Sequence, residues 1–338
     1  MRKNTILFLA CLLLLSLLLA GCGAQQAGPA PAAPDATAEP TPAPTPEPTP
    51  EPEIFTEVEL KNDNLPDGLQ LTEYSSATNN NIRSQVYIDT QVCPTNDTGF
   101  YFDFECVTGF QTKDSWFFGC FYGDMNMYME VGYHQAQGNE AHFYTATKIQ
   151  YSQSTDPAAR TVATYRPNTW HFWEPVPQHL LIFSRQHKTM ELAGTYDMPG
   201  VYTVRVYRCR IWQGGESIRD YVPCFSVETG RAGMYDLERQ RMSYTDGKEE
   251  IDRGPELLPP STLTAVNGQI PGPVEVPTLD GFLFRGYYTG YQGSGERIID
   301  ENGRPCAPVG TEEGVRLYAF WERDESFFDG YDLFDGER

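Results

Sequence analysis

The sequence predicts an all-β protein, and three observations carry that expectation. Apolar and polar residues alternate with period two in short runs, helical periodicity is almost absent, and aromatic residues make up 13% of the 338 residues, with 20 Tyr and 19 Phe. Phe100, Phe102 and Phe104 alternate with Tyr101, Asp103 and Glu105, while Met127, Met129, Val131 and Tyr133 share a face opposite Tyr128 and Glu130. Leu180 to Phe183 is a brief apolar run, and Val201 to Trp212 a long strand-like one. The stretch 57–256, about 200 residues, suits one β-sandwich domain.

Ahead of it stand two segments of different character. Arg2 and Lys3 precede an apolar run from Ile6 to Ala20 that ends in Leu19-Ala20-Gly21-Cys22. A basic start, an apolar stretch and small residues at a cleavage point describe a secretory signal, residues 1–21. The run is short against the ~20 residues that span a bilayer. Cysteine directly after Leu-Ala-Gly resembles the lipobox of bacterial lipoproteins, which implies that Cys22 is lipidated and holds the chain on the outer face of a bacterial membrane. Residues 22–56 then carry prolines at nearly every second position from 40 to 52. Such a segment favours extended polyproline II, about 3.1 Å per residue, and reads as a stalk.

The formal net charge is −21, more negative still without Arg2 and Lys3. That excludes a nucleic-acid partner, which needs a cationic footprint, and leaves the lipid anchor as the membrane contact. A strongly charged surface also favours a monomer. Beyond Cys22, the mature chain keeps Cys93, Cys106, Cys120, Cys209, Cys224 and Cys306. Their spacings form no CxxC and no zinc pattern, so no metal site is expected.

Val204 to Pro223 reads as a hairpin around Gly214-Gly215, a two-residue turn. Pairing Gln213 with Glu216 sets Ile211 opposite Ile218, Cys209 opposite Asp220 and Tyr207 opposite Val222. In that register Cys224 falls opposite Arg205, about 13 Å from Cys209, so the two should not bridge.

Several of these segments carry a resemblance. Glu73-Tyr74 with Val86-Tyr87-Ile88-Asp89-Thr90, Phe117-Phe118-Gly119, the hairpin residues Arg205 to Trp212 and Ile218 to Cys224, and Gly233-Met234-Tyr235-Asp236 together resemble a laminin-G-like, concanavalin-A-type jelly-roll domain. The resemblance covers roughly 65–256 and implies a jelly-roll sandwich. Gly281 to Tyr288, Gly293-Ser294-Gly295, Ile299 to Gly303 and Leu317 to Trp321 resemble one copy of the internalin-type B-repeat, the Listeria–Bacteroides repeat. That implies a small β-grasp-like module over 257–322, after a boundary at Pro259-Pro260. The acidic, aromatic tail 323–338 matches neither and is expected to be loosely ordered.

Candidate chemistry is sparse. Jelly-rolls of this type also host glycosidases, in which two carboxylates face each other about 5–5.5 Å apart for retention. Asp103 and Glu105 share a strand face, but Tyr101 stands where a third acid would be, so both are expected to be solvated outward residues. Glu249-Glu250-Ile251-Asp252 has the wrong spacing and is expected in a loop. The five histidines are scattered; His142 and His171 are the candidate bases, with no Ser or Cys in a nucleophile elbow. Asp300-Glu301-Asn302-Gly303 superficially resembles a calcium loop, but a tight turn around Asn-Gly explains it better, since the full calcium-loop pattern is missing. Calcium elsewhere in the jelly-roll is the one cofactor the resemblance leaves open. Trp170, His171 and Trp173, held between Pro167 and Pro175, are the candidate ligand-binding residues, as a stacking platform or as caps on the core.

The resulting expectation is a non-enzymatic, lipid-anchored surface protein that binds an extracellular glycan or protein. A structural envelope component without a ligand and a diverged glycosidase are the alternatives.

Overall fold

The computed structural model describes residues 50–80, 86–108, 115–122, 127–135, 141–143, 159–165, 176–186, 192–193 and 201–331. The chain divides into two compact units, Met1–Glu51 and Pro52–Arg338, and nearly all described residues belong to the second. They form strands and short 3-10 turns, with no α-helix among them. No helix of the described residues is long and apolar enough to cross a membrane.

Two sheets pack face to face, a sandwich as the alternation predicts. The larger, nine-stranded, is built around Val201–Gln213, which pairs with Thr98–Thr108 along one edge and with Glu216–Ser226 and Ser75–Asn80 along the other. The smaller, seven-stranded, is built around Ser115–Tyr122, flanked by Met127–Gln135 and Leu181–Ile182. Between them aromatic rings interlock. Phe118 meets Phe100 at 4.9 Å and Phe102 at 5.0 Å, and Phe117 meets Phe104 at 5.5 Å, centroid to centroid. Met129 and Val131, on the face the alternation assigned inward, are completely buried in the same core.

The hairpin turns at Gly214 and Gly215, both left-handed at φ 62° and 84°, as a two-residue primed turn requires. Gln213 does face Glu216, and the expected register holds for one more pair before it fails. Trp212 faces Ser217, and a bulge then sets Ile211 opposite Arg219, Arg210 opposite Asp220 and Cys209 opposite Tyr221. The reason is electrostatic. Directly opposed residues in a ladder share a face, so the expected register would have put the Asp220 carboxylate beside the core thiol of Cys209. The extra residue, Ile218, moves Asp220 to the arginine face and Tyr221 into the core. Past Cys209 the hairpin forks. Strand 75–80 takes over the edge of 201–206, while Cys224 pairs with Leu71 and Gly233 rather than facing Arg205. Cys209 and Cys224 are both free.

The third sheet has five strands, ordered 261–266, 55–61, 315–323, 282–288 and 297–299. Its second strand comes from the far end of the sequence. Phe55–Lys61 runs antiparallel to Ser261–Val266 and parallel to Val315–Arg323. Residues 57–61, expected with the sandwich, thus belong by their hydrogen bonds to the C-terminal sheet. Its core gathers Val58, Leu60, Phe284, Tyr287, Ile299, Leu317 and Trp321.

The tail also departs from expectation. Glu325–Tyr331 winds into a 3-10 segment whose Phe328, 1% exposed, packs edge-on against Tyr101 and Trp212. It covers the outer face of the large sheet. Strand 98–108 is therefore buried on both faces through Asp103.

Candidate functional site

The two carboxylates on the outward face of strand 98–108 are each bound by arginine. Asp103 is not solvated: it is 4% exposed, and Arg160 grips both its oxygens at 2.9 and 2.7 Å. Glu105 accepts from Arg205 at 3.1 Å and from the Tyr207 hydroxyl at 2.7 Å. Both acids serve as anchors for arginine. The second acidic run is not a loop throughout, since Ile251 is buried and Asp252 pairs with Ser76 in a short strand. His134 and His142, eight positions apart, are register partners on consecutive strands. Cys22, Trp170, His171 and Trp173 lie outside the described residues.

The Asp300 turn explains itself. Its Oδ1 accepts the backbone N–H groups of Asn302 and Arg304 at 2.9 and 2.8 Å, and Gly303 N–H closes the turn onto the Asp300 carbonyl. These bonds, that from Arg304 foremost, hold the Asp300 carboxyl below its usual value. The left-handed residue is Gly303, φ 77°, rather than Asn302. Among the described residues no group of three or more His, Cys, Asp or Glu is placed to hold a metal ion.

A cleft of about 500 Å³ opens where segments far apart in sequence converge. Tyr87, Asp89 and Gln91 form one side; Tyr221 and Asp236 form the floor; Arg239 to Asp246 form the other side. Hydrogen bonds position each group. Asp89 turns the chain by accepting Gln91 N–H at 2.7 Å, which holds Gln91 in the left-handed region at φ 58°, and the Asp89 carboxylate stands 3.0 Å from His179 Nδ1. Arg239 donates to the Gln91 side-chain carbonyl at 2.9 Å, and Asp246 accepts Asp89 N–H at 2.9 Å, so the two walls are tied together. A non-glycine residue in that conformation costs ~1–2 kcal/mol, a strain that tends to sit at functional loops.

The floor is the unusual part. Asp236 is 1% exposed. Its Oδ1 accepts N–H from Asp220 and Glu238, both at 3.1 Å. Its Oδ2 is buried and accepts no hydrogen bond among the described residues; the nearest cation is Arg219 Nε at 3.7 Å. Burial raises the Asp236 carboxyl above its usual value against these donors. Arg219 is itself lowered, by burial first and then by Arg239. Tyr87 is raised by burial and by the neighbouring charges of Asp246 and Asp89. Phenol rings, carboxylates, guanidinium groups and small hydroxyls line one open groove, a set that both accepts and donates to polar ligands.

Sequence reasoning quoted four of these residues, Tyr87, Asp89, Tyr221 and Asp236, as parts of a resemblance, and missed that they meet. The recurrence of Tyr and Asp in three separate segments was the signal. Arg239, Arg241, Tyr244 and Asp246 had none. Compared with known proteins, the chain matches no family model, no curated protein and no solved structure.

Proposed function

We propose that this chain is a non-catalytic, lipid-anchored surface protein of a bacterial envelope that binds an extracellular glycan in the Tyr87–Asp236 cleft. Its sandwich is read as a laminin-G-like jelly-roll and its C-terminal sheet as an internalin-type B-repeat of β-grasp kind. The observation that carries the binding reading is the cleft itself, an open groove walled by Tyr87, Asp89, Arg239, Tyr244 and Asp246. Tyr87 and Tyr244 offer rings on which a sugar face can lie, and the carboxylates and guanidinium groups beside them can bond its hydroxyls. The arginine-bound state of Asp103 and Glu105 favours binding over hydrolysis, because a retaining pair needs one proton donor and one free nucleophile.

Affinity electrophoresis of residues 23–338 through soluble polysaccharides, followed by titration on a glycan array, tests the reading. Saturable retention is expected on at least one glycan, weakened about tenfold or more by Tyr87→Ala, or ~1.4 kcal/mol. Absence of retention on every glycan, or release of reducing sugar, overturns it.

A further inference from the structure

We infer that the C-terminal sheet has a mechanical function: it clamps the strand through which the folded unit is joined to its stalk. The biological setting rests on the anchored reading above, but the clamp is a property of the fold. Phe55–Lys61 is the first strand after the proline-rich segment, and it is an inner strand rather than an edge. Six residue pairs, Phe55↔Val266 to Leu60↔Ser261, tie it to one neighbour, and four, Val58↔Val315 to Lys61↔Tyr318, tie it to the other.

Ladder hydrogen bonds lie across the strands. Traction on residue 54 directed along the strand loads both ladders in shear, all rungs together. Peeling, which breaks rungs one at a time, is not open to a strand held on both edges. Side chains add to the grip. Val58 and Leu60 are buried in the sheet's core, and Arg316 reaches Glu59 Oε2 with Nε and Nη2 at 2.9 and 2.8 Å.

Both ends are pinned. At the stalk end, Ile54 donates its N–H to Asn267 Oδ1 at 2.8 Å, and Asn267 N–H returns to the Ile54 carbonyl at 2.7 Å. At the other end, Asn62 accepts the Tyr287 hydroxyl at 2.6 Å and Trp321 Nε1–H at 2.9 Å, and its amide donates to the Pro259 carbonyl. The segment that leads into the partner strand is in turn fastened to the sandwich. Arg253 pairs with Ser75, Glu256 with Thr72, and the Gln70 amide donates to the Leu257 carbonyl at 2.9 Å. Tension between a stalk and a ligand held in the cleft therefore passes through this sheet.

Single-molecule pulling on residues 23–338 tests the clamp. One handle is placed ahead of residue 23 or after residue 338, and the other in the exposed turn 228–230 of the sandwich. At equal loading rate, the first rupture along the N-terminal axis is expected at about twice the C-terminal force or more, because sheared rungs break together. A smaller ratio overturns the inference. Val58→Ala is expected to lower rupture on the N-terminal axis alone, and an equal fall on both axes also overturns it. Should Val58→Ala not fold, the two-axis comparison in the unaltered chain still decides. Glycan retention is measured separately, so failure of the binding reading and failure of the clamp are distinguishable.

Discussion

Arg208 and Asp220 form a two-pronged ion pair inside the protein, Nε to Oδ1 at 3.0 Å and Nη2 to Oδ2 at 2.9 Å, with the Asp220 side chain fully buried. Arg210 and Arg323 stand 3.8 and 3.4 Å from the same carboxylate. Arg323 belongs to the C-terminal sheet and Arg208 to the sandwich, so one carboxylate joins the two. Burial alone would raise Asp220, but Arg208, then Arg210 and Arg323, hold it below its usual value. The Arg208 guanidinium also lies over the rings of Phe282 and Phe328, which removes it further from water.

Asp220→Asn should therefore be severe. It leaves the buried Arg208 uncompensated, and breaking one partner of such a pair costs ~3–5 kcal/mol. The pH dependence has a definite sign. A carboxyl whose folded value is depressed adds stability that is complete above the unfolded value, near pH 4, and is lost as pH falls through the folded value. Urea midpoints measured from pH 7 down to pH 2 should fall below about pH 4 in the unaltered chain, with the fall reduced in Asp220→Asn. Parallel curves for the two proteins would remove Asp220 from this role.

This network shows where sequence reading stops. The turn at Gly214-Gly215 and the inner face Phe100, Phe102 and Phe104 follow from local chemistry and period-two alternation, and the structure has both. Cys209 and Cys224 are unpaired as expected, though by another geometry. The bulge at Ile218 places a carboxylate among three arginines. Arg208 and Arg210 lie in the same hairpin, but Arg323 comes from the far C-terminal sheet, so the hairpin window alone does not contain the full energy. Burial of Tyr101 depends on Phe327 and Phe328, more than 200 positions away, and that of Asp103 on Arg160, 57 positions away. The same holds for strand 55–61, whose apolar Val58 and Leu60 read as ordinary strand residues but carry no mark of which sheet takes them. The cleft was half legible, because its Tyr and Asp residues stood in recognised segments while its arginine wall did not.

Thiol chemistry should separate the six cysteines into two classes. Cys93 and Cys306 are exposed; Cys106, Cys120, Cys209 and Cys224 are buried. Burial pushes the Cys106 thiol up to about 12 and Cys209 and Cys224 well above the usual range. The thiolate is the reacting form, so iodoacetamide at pH 8 should modify two sites in native residues 23–338 and six after denaturation. Intact mass before and after alkylation reads the count. A reductant should leave the melting temperature unchanged, and a drop would mean that a disulfide contributes.

Asp236 should show the opposite pH behaviour from Asp220. Its folded value is raised, burial being the main cause, so the protonated form is favoured on folding. Its contribution is most favourable below the unfolded value, near pH 4, and declines as pH rises through the folded value. Asp236→Asn keeps an acceptor for the two N–H groups and removes the titration. The stability difference, unaltered chain minus variant, should therefore shrink as pH rises from about 4 to 8 in urea unfolding. A difference independent of pH would show that Asp236 is not perturbed.

The tail gives the last expectation. Phe328 fills a site between Tyr101 and Trp212, and Glu325 takes Arg210 with two bonds of 3.0 and 2.7 Å. Glu325 is partly exposed, so its loss alone should cost little, ~1 kcal/mol or less after screening. Phe328→Ala removes a fully buried ring and should cost ~3–5 kcal/mol. The two effects share one short segment and one partner face, so they should not add. Once Phe328 no longer holds the segment, the Glu325 pair has little left to stabilise. Chemical denaturation of both single variants and the double variant measures the coupling. Truncation after Asp324 should then match the double variant within error, whereas a truncated chain as stable as the full one would mean that the segment merely rests on the sheet.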